Sequence, residues 1–197
     1  MRYVALLRGI NINPRSQMAM ADLRALLEGL GHTGVSTHLR SGNAVFTGDE
    51  EPRERVASAI ERRITEELTM EVAVIVRTAG ELRAVVEENP LEVRDPAKFA
   101  VVFLAGEPDR RTLEGIDPAS YAPEEMRVGR RELYMYFPDG LRRPKLPPLL
   151  EKRSSAVATM RNWNTVTKLL SLAEDRAPPP FLLTNHAFVS HDRRSIP

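Results

Sequence analysis

Apolar positions along the chain change their spacing repeatedly, and each change marks an element. Tyr3 to Leu7 is a short apolar run bounded by Arg2 and Arg8-Gly9, which predicts a strand. Leu23, Leu26, Leu27 and Leu30 recur at helical spacing, and Gly31 stops that helix. Val35 to Leu39 and Asn43 to Thr47 read as strands, with Ser41-Gly42 as the turn between them. Asp49 reads as the N-cap of a second helix, with Pro52 in its first turn and Val56, Ile60, Ile64 and Leu68 as its stripe. Val72 to Val76 is a continuous, largely β-branched run, expected to be a strand covered on both faces. Residues 1–77 thus predict a β-α-β-β-α-β unit.

The remainder follows a similar plan. Ala79 to Glu88 reads as a connecting helix ended by Asn89-Pro90, and Phe99 to Leu104 as a strand. Asp109 to Ile116 is a short helix, and Met126 to Gly129 with Leu133 to Phe137 a hairpin turning near Arg130-Arg131. Leu146 to Lys152 is a helix carrying Pro147-Pro148, and Val157 to Met160 a closing strand. Val166, Leu169, Leu170 and Ala173 form the stripe of a terminal amphipathic helix. The expected fold is therefore α+β, with two ferredoxin-like halves related by internal duplication. They span residues 1–77 and 98–176, joined by a helix and loop over 78–97. Pro178-Pro179-Pro180 opens a linker and tail over 177–197, which reads either as an extended arm or as a frayed end.

Topology brings two polar motifs together. The chain leaves strand one at the end where strands two and three join. LLRGIN, Leu6 to Asn11, and RSGN, Arg40 to Asn43, are thereby expected at one edge, with Arg8, Asn11 and Asn43 as neighbours. Strand one is apolar on both faces while helices cover one, so the second half or a partner chain in a homodimer must cover the other.

Composition narrows the field. The chain has 197 residues, 42% of them hydrophobic, and a net charge of +1 from 28 basic and 27 acidic side chains. That balance does not point to nucleic acid. The absence of cysteine excludes disulfides and thiolate chemistry, and fits a cytoplasmic protein. Met1 to Ile10 is too short, and too soon interrupted by Arg8, for a signal peptide, and no run reaches the roughly 18–20 apolar residues of a membrane span. A soluble, unprocessed chain with no membrane partner is expected.

Four motifs, in order, resemble the bacterial domain-of-unknown-function 1697 family. They are LLRGIN, RSGNAVF at Arg40 to Phe46, VGRRELYMYFPDG at Val128 to Gly140, and MRNWNTVTKL at Met160 to Leu169. The resemblance covers Met1 to about Ala173 and implies two ferredoxin-like halves without implying an activity. Where the family usually follows RGIN with a valine, a glycine pair and a basic residue, this chain has Ile12-Asn13-Pro14-Arg15. Pro14 lacks an N–H, which counts against an anion-cradling loop. Arg143-Pro144-Lys145-Leu146 likewise has proline where the family commonly has serine, and the tail beyond Arg176 lies outside the resemblance.

Candidate chemistry follows from these positions. Arg8 offers a bidentate fork for carboxylate or phosphate, or else pairs with a nearby acid. Asn11, Ser41 and Asn43 are ligands or turn residues. Asn162 is a natural N-cap for the last helix and Trp163 its anchor, while Arg161 and Lys168 are cationic ligands or solvated side chains. His32, His38, His186 and His191 lack metal spacing, and no nucleophile elbow, Walker loop or dinucleotide fingerprint occurs. Tyr134 and Tyr136 share a strand face, but without the basic-aromatic pattern of RNA-binding sheets. The leading reading is a protein that binds a small anionic metabolite or nucleotide through Arg8, Asn11, Ser41, Asn43, Arg161 and Lys168. No cofactor or metal is expected and no catalytic residue is assigned. The alternatives are a protein–protein scaffold or dimerisation module, and an enzyme using the same pocket.

Overall fold

In the computed structural model the described residues are 1–153 and 156–174. The predicted linker and arm, with His186 and His191, lie outside them. The first half runs β1 (Arg2–Leu7), α1 (Met20–Gly29), β2 (Thr33–Thr37), β3 (Asn43–Thr47), α2 (Arg53–Leu68) and β4 (Val74–Thr78). Helix α3 (Ala79–Glu87) follows. The second half runs β5 (Phe99–Leu104), α4 (Arg110–Glu114), β6 (Glu125–Val128), β7 (Glu132–Tyr136), α5 (Leu146–Arg153) and β8 (Ala158–Asn162), and ends in α6 (Trp163–Glu174). Each half holds one antiparallel four-stranded sheet, in the orders β2-β3-β1-β4 and β6-β7-β5-β8.

The double-sided apolarity of β1 is explained by two of the three cores. Tyr3, Ala5 and Leu7 face α1 and α2, packing among Leu23, Leu26, Leu27, Ile60 and Ile64. Val4 and Leu6 face the opposite way, in a cluster with Leu82 and Val85 of α3, Val166 and Leu169 of α6, and Phe99, Val101, Phe103 and Tyr134 of the second sheet. Helix α6 touches β1 and β3 of one sheet and β5 and β8 of the other, while α3 touches β1, β4 and α6. The face that needed a cover is therefore covered from within the chain. The far face of the second sheet packs Ala100, Leu133 and Met135 on Leu113, Leu146 and Leu150 of α4 and α5.

Local signals set the helix starts. The Thr78 side chain accepts from Glu81 N at 3.1 Å, and Glu81 returns a carboxylate oxygen to Thr78 N at 2.9 Å, a complete capping box for α3. Asn162 Oδ1 accepts from Thr165 N at 2.9 Å, and Trp163 packs edge-on against Phe99. Asp49 does not cap α2: Pro52 occupies the N-cap position, and the Asp49 carbonyl accepts from the Tyr3 hydroxyl at 2.9 Å.

Candidate functional site

The edge predicted from topology is built by two loops locked together. Beyond β1, Asn11 takes a left-handed conformation (φ 57°). Its amide donates to the carbonyls of Arg40 (2.7 Å) and Met18 (3.0 Å), and its oxygen accepts from Met18 N (2.9 Å). The second loop turns at Gly42 (φ 78°), whose N–C–O frame lies so close to β1 that an added Cβ would stand 2.7 Å from Leu7 Cβ and 2.8 Å from Ile10 Cδ1. Only glycine meets both demands. Leu7 N then donates to Gly42 O at 2.8 Å.

Asn43 starts β3 opposite Leu6 and is fully buried. Its amide donates to His38 O (2.8 Å) and Ser41 Oγ (3.0 Å), and its oxygen accepts from Arg161 Nε at 2.5 Å. Arg161 comes from β8 in the other half. Its Nη1 donates to Thr159 Oγ1 (2.7 Å) and Met160 O (2.8 Å), and its Nη2 to Leu7 O (2.7 Å), Ser41 O (3.2 Å) and Gly42 O (3.3 Å). The whole guanidinium is thus spent on neutral acceptors inside the protein, and the residue is 7% exposed. Burial pushes its pKa down to about 10, which leaves it charged at neutral pH.

The structure therefore joins Ser41, Asn43 and Arg161 in one hydrogen-bonded cluster, with Asn11 tied to the adjoining Arg40 carbonyl. Arg161 serves there as a clamp between halves, with no N–H turned to an outside anion. Ser41 and Arg8 are exposed, and among the described residues the Arg8 side chain makes no hydrogen bond or ion pair. Lys168 is exposed on α6 and close enough to help lower the His38 pKa, after the larger effect of burial.

A second arginine, unnoticed in the sequence, repeats the arrangement. Arg77 is the fourth residue of β4 as Arg161 is of β8. It crosses in the opposite direction: Nη2 donates to Leu104 O (2.8 Å) and Arg131 O (3.1 Å), and Nε to Glu132 (3.1 Å). Leu104 ends β5 as Leu7 ends β1, and Glu132 starts β7 as Asn43 starts β3. Leu104 N also donates to Arg131 O at 2.9 Å, matching the bond from Leu7 to Gly42. The signal was a charged residue closing an apolar strand, in Val74-Ile75-Val76-Arg77. The two places differ in charge: Arg77 faces a carboxylate and Arg161 an amide. Beside Arg77 lies a cleft of about 680 Å³, where Arg53 is paired with Glu81, Arg130 with Glu88 and Arg77 with Glu132. Among the described residues no group of three or more His, Asp or Glu side chains could hold a metal.

These features define an α+β protein of two four-stranded antiparallel sheets, clasped at both ends by exchanged arginines. The family model described as Protein of unknown function (DUF1697) matches residues 1–134, and the chain belongs to that family. A conserved bacterial protein from Streptococcus pneumoniae has a solved structure similar to this one, with a TM-score of 0.69 and 21% identity, covering 88% of this chain and 98% of that one. At that identity the likeness is one of fold. Among curated proteins, none matches this chain.

Proposed function

We propose that the edge carrying Arg8, Ser41 and Lys168 binds a small anionic metabolite or nucleotide, with Arg161 acting through its field from beneath. The observation that carries this reading is the contrast between the paired arginines: Glu132 neutralises Arg77, whereas Asn43 leaves Arg161 a buried cation without a carboxylate. An anion roughly 6 Å from a guanidinium gains on the order of 2–3 kcal/mol at an effective dielectric of ~20. That exceeds the ~0–1 kcal/mol of one exposed pair, so the buried charge is the larger attraction. An RNA platform of stacked aromatics loses support, since among the described residues Tyr134 is buried with its hydroxyl donating to Val85 O.

The matched strand orders and matched arginine contacts also support reading the halves as ferredoxin-like units that arose by internal duplication. The lack of cysteine supports a cytoplasmic setting.

The test is calorimetric titration with inorganic phosphate, nucleotides and coenzyme A derivatives. Binding is expected to weaken about tenfold in Arg8→Ala and again in Lys168→Ala. Asn43→Asp, which gives Arg161 the counter-charge its counterpart has, should weaken it further, with a thermal melt confirming the fold. Affinity unchanged across Arg8→Ala and Lys168→Ala would remove the proposal.

A further inference from the structure

Two aliphatic side chains stand in solvent at this same edge. Ile12 is 76% exposed and Leu39 is 57% exposed. Each is one residue away from the Asn11–Arg40 hydrogen bond that ties the loops. Arg8 and Arg40 are exposed in these loops, Arg40 reaching only Gln17 Oε1 at 3.4 Å, and Lys168 is exposed on the adjoining α6. Among the described residues none of the three cations pairs with a carboxylate, whereas Arg53, Arg63, Arg77, Arg83 and Arg131 elsewhere do.

A folded partner would need a contiguous surface of about 800 Å² to hold such an edge. Two aliphatic side chains separated by basic residues do not provide one. An anionic bilayer needs no shape match: aliphatic tips sink among the acyl chains while cations meet headgroup phosphates. We propose that this end of the first sheet docks shallowly on an anionic lipid surface, Ile12 and Leu39 inserting and Arg8, Arg40 and Lys168 contacting the headgroups. The inference rests on the anion reading of the same edge and adds the source of the anion. No helix among the described residues is long and apolar enough to cross a membrane. The expectation of no membrane partner rests on the lack of a spanning run, which a shallow contact does not need.

The test is flotation of the full chain with vesicles of phosphatidylglycerol and phosphatidylcholine in equal parts, against phosphatidylcholine alone. Binding only to the anionic vesicles, abolished by ~0.5 M salt, is expected. The double variant Ile12→Ser, Leu39→Gly should bind about tenfold more weakly. Leu39 has φ 58°, a conformation glycine adopts without strain, so that loss would not report unfolding. No flotation, or flotation undiminished in the double variant, would overturn the inference. Poly-glutamate binding as tight as vesicle binding, and indifferent to Ile12 and Leu39, would also overturn it. Titration with glycerol phosphate separates the two proposals: if it binds through Arg8 while vesicles do not, the anion site stands and the lipid surface falls. Flotation that depends on Ile12 and Leu39 supports the lipid surface whether or not the free phosphoester binds.

Discussion

Arg8 and Arg161 reach the same end of one sheet, yet substitution should treat them differently. Arg8→Ala removes an exposed, unpaired side chain and should change stability by only about 0–1 kcal/mol. Arg161→Ala strips donors from the Asn43 amide oxygen, Thr159 and the Leu7 carbonyl, buried groups that cost about 1–3 kcal/mol each when left unmet, while Gly42 O keeps its bond from Leu7 N, so a loss of several kcal/mol is expected. Urea denaturation of both variants measures the difference. His38 gives a pH signature at the same edge. Its folded pKa lies below 6.5 through burial and then Lys168, so the unfolded chain binds more protons just below pH 6.5. The histidine's contribution to stability is therefore complete above 6.5 and falls away as the pH drops toward the folded pKa. A bound anion opposes Lys168, so phosphate should move the His38 titration upward, as followed by NMR of its ring. The juxtaposition of Arg8 with Asn43 was legible in the sequence because alternating strands leave no other arrangement. The role of Arg161 was not, because Asn43 lies 118 residues away and its other partners are mostly backbone carbonyls, which carry no residue code.

Helices and strands were readable wherever a stripe or run recurred, and misread where the chain turned. Leu39 looked like the end of β2, but β2 stops at Thr37 and Leu39 lies in the loop with a positive φ. Pro147-Pro148 do not break the helix that carries them, because both fall in the first turn of α5, where a missing N–H costs little. Two substitutions probe these determinants by thermal melting. Thr78→Ala removes the capping box of α3 and should cost about 1 kcal/mol. Gly42→Ala meets both a left-handed backbone and the Leu7 side chain, and should cost more than the about 1–2 kcal/mol of the conformation alone.

Across the molecule, the covering of the first sheet by the second half was one of the two covers expected from the apolar faces of β1, but the shares taken by α3 and α6 were not. Periodicity shows that a face is apolar without showing what meets it, and here α3 and α6 supply the contact together with the second sheet. Leu26→Ala in the outer core should cost about 2–5 kcal/mol. Because each half also completes the other through a buried arginine, that loss should lower one shared unfolding transition, seen as coincident circular-dichroism and Trp163 fluorescence melts. The same exchange governs what happens when the covalent link is removed. A cut in the segment between α3 and β5 would leave two pieces, each with an exposed apolar face, one guanidinium lacking acceptors and one set of acceptors lacking a guanidinium. Neither piece is self-sufficient, and each carries what the other lacks. Mixed after separate expression, they should reconstitute the native sheets in trans, which would make this chain a ready split reporter of proximity between whatever proteins its two pieces are fused to.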